Sequence, residues 1–290
     1  MKKVLSVLLS LLTVVSVLFL APVDTFAASQ PSPKAVVTIK KDSITVNLKN
    51  LKGLKYDKCT VYQRAKSYTG KVKAKKSSLK KGQTKYVVKD SNIGKYYYTI
   101  DFEFLLKNEP VAYASADCTS AKVLMKGVKP NKKKSKTIKI INVRPHEDNK
   151  KKKVYVHWTE TLTAKDKKIL SDFAKKHFKK GWSDYDKLNY TFNWIQRKVT
   201  YCPDKKYPKL YKYSYVERIF KKKSGQCIDY NGAMANMMAY LGYRTRLVEG
   251  YSYGNNHYWG QIRLHGHWMK FDVQLSDTFW LSPNKYSKEY

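Results

Sequence analysis

Cysteine is scarce in this chain: four residues, at positions 59, 118, 202 and 227, among 290. That count excludes a small scaffold held together by many disulfides. No cysteine or histidine pair has the spacing of a zinc ligand set, so neither a metal nor any other cofactor is expected. Acid is also in short supply. Asp and Glu number 22 against 58 Lys and Arg, a formal net charge of +36, and 51 of the 58 are lysine. Glycine and proline, 13 and 9 residues, are too few for a collagen-like or low-complexity chain. Beyond residue 21 no stretch approaches the roughly 18 apolar residues of a membrane helix.

The one long apolar run lies at the start. Lys2 and Lys3 precede it, it extends from 4 to 21, and Thr25-Phe26-Ala27-Ala28 offers small residues for cleavage after Ala27. Residues 1–27 therefore read as a secretory signal peptide, and the mature protein as secreted, with no membrane span after cleavage. A retained membrane anchor is the alternative. The remaining length suffices for two domains, and 42% hydrophobic residues can build their cores. A lysine-dominated surface suits loose, salt-sensitive attraction to an anionic polymer, because an ammonium is a hydrated point charge. Outside a cell that polymer is an anionic cell-wall polymer; no nucleic-acid-binding motif is present, and no nucleic acid is expected as a partner. The plain alternative is a solvated surface with no partner.

Residues 28–128 read as a small β-sandwich. Short runs rich in Val, Ile, Thr and Tyr, at 36–39, 43–48, 59–62, 84–88, 96–102 and 121–125, alternate with Gly-, Lys- and Ser-rich turns. In an oxidising compartment Cys59 and Cys118 are expected to pair. Residues 129–153 form a Lys-rich linker with a connecting strand at 138–143. From 154 to 290 the pattern changes. Helical spacing covers 163–180, 184–199, 214–222 and 227–241, the last ended by Gly242. Three strands follow at 245–253, 258–264 and 268–273. Helices followed by an antiparallel sheet give an α+β domain.

Within that domain Cys227 follows Gly225-Gln226 at the first turn of an Ala- and Met-rich helix. Unpaired N–H groups and the positive end of the helix dipole favour a thiolate there. His257 opens the second strand and Asp272 lies in the third, across the turn at His265-Gly266-His267. If Leu264 and His265 close the hairpin, His257 faces Asp272, and the carboxylate can orient the imidazole toward a thiol. Three readings of Cys227 stand at this stage: a nucleophile, an inert buried thiol, or a disulfide partner of Cys202. His265 and His267, flanking a glycine, carry only a weak metal signal, and His146, His157 and His177 stand without ligand-type company.

The segment 184–280 resembles the transglutaminase-like thiol enzymes in a small secreted bacterial form. The resemblance rests on Gly225-Gln226-Cys227-Ile228-Asp229-Tyr230, on Leu241-Gly242-Tyr243-Arg244-Thr245-Arg246, on His257-Tyr258-Trp259 and on His267-Trp268-Met269-Lys270-Phe271-Asp272. It implies a papain-like, transglutaminase-like core of helices packed on an antiparallel sheet. It further implies Cys227 as nucleophile, His257 as base and Asp272 as its orienting partner. Val273 replaces the family's usual proline, Gln226 precedes the cysteine, and residues 28–128 lie outside the likeness. Such a site would attack a peptide or protein amide and form a thioester, which water or an amine then takes. Protease, amidase and transglutaminase share that first step. A second oxyanion donor is expected from Trp182, Trp194, Gln196 or Gln226, and Trp259, Trp268, Tyr251, Tyr253 and Tyr258 are candidates for an aromatic cleft. The rival function is a non-catalytic scaffold of the cell envelope that keeps the fold.

Overall fold

The computed structural model describes residues 31–67, 71–89, 96–131, 137–142, 155–252 and 255–283. The expected signal peptide at 1–27, Tyr253, His146 and most of the Lys-rich stretch expected as a linker lie outside the described residues. Among those residues no helix is long and apolar enough to cross a membrane.

The N-terminal half contains two antiparallel sheets. One orders β1 (Lys34–Ile39), β2 (Ser43–Lys49) and β5 (Lys85–Lys89). The other orders β4 (Val72–Leu79), β3 (Lys58–Ser67), β6 (Tyr96–Leu106) and β7 (Glu109–Asp117). Alternation along the strands explains the pairing. In β2, Ile44, Val46 and Leu48 are buried while the residues between them are not; in β6, Tyr98, Ile100, Phe102 and Phe104 do the same. Tyr86 meets Phe102 edge-on at 6.0 Å between the two sheets.

Two expectations fail in this half. Residues 121–125 form a helix, α1 (Ala121–Met125), and no strand. Ser120 caps it by accepting from the Val123 N–H, and Ala121, Leu124 and Met125 are buried at helical spacing. Cys59 and Cys118 are both free thiols. Cys59 sits opposite Phe104 on β6, whereas the Cys118 N–H bonds the carbonyl of Tyr98. Those contacts are about 20 Å apart along the strand, against a Cα separation of at most ~7 Å in a disulfide.

The second sheet has six strands in the order β15-β14-β13-β12-β8-β9: β15 (Ser282–Pro283), β14 (His267–Phe271), β13 (Asn255–Leu264), β12 (Thr245–Ser252), β8 (Thr137–Asn142) and β9 (Tyr155–Thr161). All its pairs are antiparallel except β12 with β8. Against it lie α2 (Ala164–His177), α3 (Asp184–Lys198), α4 (Tyr215–Glu217), which runs on into a π-helical turn over Arg218–Lys222, and α5 (Cys227–Leu241). Capping boxes start the first three: Thr163 with Asp166, Ser183 with Asp186, and Ser214 with Glu217. The fourth helix is the centre of the domain. Ala233, Met234, Ala235, Met237 and Met238 are wholly inaccessible.

The β13–β14 hairpin departs from the expected register. Its closing pair is Leu264 with His267, around a two-residue turn. His265 and Gly266 both take positive φ (49° and 84°), the pattern of a type I′ turn, whose twist matches that of the strands. Extended along the strands, this register sets Gln274 opposite His257. His265 Nε2 also lies 2.7 Å from the Leu124 carbonyl and His267 Nε2 2.9 Å from that of Lys41. Both imidazoles thus donate to the N-terminal half rather than forming a metal pair.

Candidate active site

The entry to α5 is set by two short strands, β10 (Thr200–Tyr201) and β11 (Ser224–Gly225), paired in parallel. The Cys202 N–H continues the ladder to the Gly225 carbonyl at 2.8 Å. Asp229, fully buried, folds back to accept the Gln226 N–H at 2.8 Å and so caps the helix. Only glycine allows this at 225: a Cβ there would stand 2.6 Å from that of Asp229. Arg218 holds the other carboxylate oxygen at 2.8 Å. It is itself clamped by the carbonyls of Leu210 and Tyr211 and lies within 6 Å of the ring centroids of Tyr207, Tyr211 and Tyr215. Burial pushes the Asp229 carboxyl up; the Gln226 N–H and Arg218 pull it back.

Cys227 is therefore placed by a buried ion pair two residues ahead of it. It is half-buried, while Cys59, Cys118 and Cys202 are buried. Burial pushes the Cys59 and Cys118 thiols up to about 12, so both stay protonated. No disulfide joins Cys227 to Cys202, whose thiol instead points to the Pro203 carbonyl at 3.7 Å.

His257 and Asp272 reach each other although they are not cross-strand partners. The ladder ends at Gly260 with Phe271, and Asp272 is the first residue to leave it. Its Oδ2 lies 2.7 Å from His257 Nε2, and its Oδ1 accepts the N–H groups of Gln274 and Leu275, each at 3.2 Å. Cys227 lies near enough to the imidazole to favour its charged form. Burial opposes a charge on this ring. The hydrogen bond to Asp272 and the nearness of Cys227, with the charges of both, outweigh it and lift the pKa to about 9. Trp259, almost fully buried, stacks beside the ring at 6.1 Å. The structure thus brings Cys227, His257 and Asp272 close together, with the imidazole hydrogen-bonded to the carboxylate.

Two further residues take part that sequence reasoning passed over. Asn231, one turn along α5 and wholly buried, ties the pieces of the site together. Its Nδ2 donates to the Tyr258 carbonyl (2.8 Å), the Cys227 carbonyl (3.2 Å) and Asp272 Oδ1 (3.3 Å), and its Oδ1 accepts the Val273 N–H (2.8 Å). An asparagine inside an otherwise apolar helix was the available signal. Tyr201, exposed on β10, stands near Cys227; burial and the nearby Cys227 raise the pKa of its phenol, so it stays a donor.

The four residues expected as oxyanion donors are engaged elsewhere. Gln196 bonds the Val273 and Ser276 carbonyls, and Gln226 bonds Cys202 O and Asp204. Trp182 and Trp194 belong to an aromatic cluster with Tyr190 and Phe173. Of the aromatic-cleft candidates, Trp268 lies between Arg246 and Arg263, with Arg246 at 4.2 Å, and Tyr258 packs on the core.

A model of the transglutaminase-like superfamily matches residues 171–273. No curated protein matches the chain. Among solved structures, a TGase shares 15% identity at a TM-score of 0.32, over 42% of this chain and 35% of that one. A protein of Cytophaga hutchinsonii, named as a candidate cysteine protease, shares 14% identity at a TM-score of 0.35, over 85% of this chain and 73% of its own. The present chain therefore spans only about a third of the TGase it resembles. Residues 171–273, which carry the thiol, the imidazole and the carboxylate, are the part of the chain that matches the transglutaminase-like superfamily.

Proposed function

We propose that this protein is an exported thiol enzyme that transfers acyl groups from peptide or protein amides through a thioester on Cys227. One observation carries the reading: buried His257 is held by Asp272 at 2.7 Å, with Cys227 near enough to act on its charge. In the first half-reaction the Cys227 sulfur attacks the amide carbonyl, and the C–S bond forms. The C–N bond then breaks as the proton held on His257 passes to the leaving amine. In the second, His257 takes a proton from the incoming water or amine, that nucleophile attacks the thioester carbonyl, and the thiolate leaves. Asp272, held by three N–H donors besides the imidazole, keeps the ring oriented and supports its positive charge. The oxyanion that forms would meet the Cys227 N–H at the start of α5 and the hydroxyl of nearby Tyr201. Water and amine acceptors use the same groups.

Alkylation by iodoacetamide in the folded protein tests this. Cys227 should label first, with Cys59, Cys118 and Cys202 silent, and His257→Ala should slow labelling on the order of 10²-fold. Tyr201→Phe should leave labelling unchanged but slow acylation by p-nitrophenyl acetate. A Cys227 that reacts only after unfolding removes the enzyme reading. Export is tested separately by the N-terminus of protein recovered from the medium, expected at Ala28.

A further inference from the structure

A second concavity lies on the face of α3 opposite to its buried side. Leu188, Thr191, Phe192 and Ile195 point into the core. Asp186, Asn189, Tyr190, Asn193, Trp194 and Arg197, spaced as one helical stripe, line a cavity of about 440 Å³ that Trp182 closes at one end and Lys198 at the other. A neighbouring cavity of about 330 Å³ shares Trp194 and Lys198 and adds Lys176, Lys221 and Lys223. Together they make a groove with Trp194 as its middle ridge, about 20 Å long on the helical rise from 184 to 198. Its size falls in the range of built ligand sites.

Its chemistry is specific. The floor is aromatic, and two indoles offer flat apolar area. Asn193 donates to the Asn189 carbonyl at 2.8 Å and to the Asn189 side-chain oxygen at 3.4 Å. That contact fixes both amides and leaves the Asn189 NH₂ and the Asn193 side-chain oxygen for a ligand. The rim is cationic. Its two acids are already engaged, Asp186 by the Ser183 cap and Asp172 by Lys168. Arg197, Lys198, Lys221 and Lys223 are exposed.

We propose that this groove is a binding site for an acidic oligosaccharide, a chain of pyranose rings bearing carboxylates. The apolar C–H face of a pyranose lies flat on an indole, its hydroxyls meet side-chain amides, and its carboxylates meet the rim. An extended peptide fits less well. It gains its affinity by pairing main chain with a sheet edge, and this groove is walled by helices and side chains alone. Lys198 and Lys223 stand three and four residues before Tyr201 and Cys227, so β10 and β11 lead from the groove toward the thiol. The binding site nevertheless stands whether or not Cys227 is a nucleophile.

The test is a fluorescence and calorimetric titration of the full chain with tetragalacturonate, against the neutral tetramer of N-acetylglucosamine and tetraglutamate. Tetragalacturonate should bind best and change tryptophan emission. Trp182→Ala and the pair Arg197→Gln/Lys198→Gln should each weaken it about tenfold or more. Cys227→Ser should bind like the wild type, which separates this site from the thiol chemistry. If Trp182→Ala does not fold, Asn189→Ala carries the same forecast. Absence of binding, variants that bind as the wild type does, or tetraglutamate binding as tightly would overturn the proposal. Equal binding of the neutral tetramer would overturn its acidic part.

Discussion

Asn231 offers the sharpest test of how the site is held. Replacing it by alanine strips the buried Val273 N–H of its acceptor, which costs about 1–3 kcal/mol on its own. Losing the donors to the Tyr258 carbonyl and Asp272 adds to that, so a total of about 2–4 kcal/mol is expected. Asn231→Asp separates the terms. It keeps an acceptor for Val273 but sets a second carboxylate beside Asp272, where the amide now stands 3.3 Å away. Two like charges at that range repel by about 5 kcal/mol at an effective dielectric of ~20, and the strain is relieved when one of them binds a proton. The folded state then holds a proton that the unfolded chain has already lost, so stability falls as pH rises. Urea unfolding at pH 5 and pH 8, each variant compared with wild type at the same pH, reads both terms. Asn231→Asp should be the more stable variant at pH 5 and lose that lead by pH 8. The reasoning fails if alanine costs under about 0.5 kcal/mol, or if the aspartate variant shows no extra pH dependence.

The wild type should have its own pH signature. Because the folded His257 pKa of about 9 exceeds its ordinary 6.5, its stabilisation is complete below about pH 6.5 and is lost as pH rises through 9. His257→Gln should abolish that fall in urea midpoints. Arg218→Met leaves Asp229 charged and unpaired in the interior, at a cost of about 3–5 kcal/mol by thermal unfolding, and adding Asp229→Asn should recover part of it. Gly225→Ala drives a Cβ into Asp229 and should lower Tm by about 5 °C or more while slowing Cys227 alkylation; unchanged labelling would show that the cap does not place the thiol.

Much of the second half is legible in residue order because local rules govern it. Capping residues start its helices, Gly242 with φ 105° ends α5, and alternation marks its strands. The lysine-rich β4 escapes notice for a physical reason. Six of its eight residues are exposed and only Leu79 is buried, so an outer strand held by main-chain bonds leaves no apolar alternation to read. The helix at 121–125 is too short for periodicity to separate it from a strand. Cys59 and Cys118 show the same limit on a larger scale: residue type says that each is buried, and only the ladder says that they sit at different ends of it.

The neighbourhood of Cys227 divides along the same line. The order Cys, His, Asp is visible, yet the hairpin count that first set His257 opposite Asp272 is off by two residues. The contact is made instead because Asp272 steps out of the ladder where β14 ends. Asn231 could have been suspected, since a buried amide in an apolar helix must find partners. Tyr201 could not. It comes near Cys227 because two-residue strands, 24 positions apart, pair in parallel. Nothing in the composition of Thr200-Tyr201 or Ser224-Gly225 marks them as partners. Their pairing follows from the placement of α3 and the π-helical turn that deliver them, so the phenol that stands near Cys227 is one that only the tertiary structure discloses.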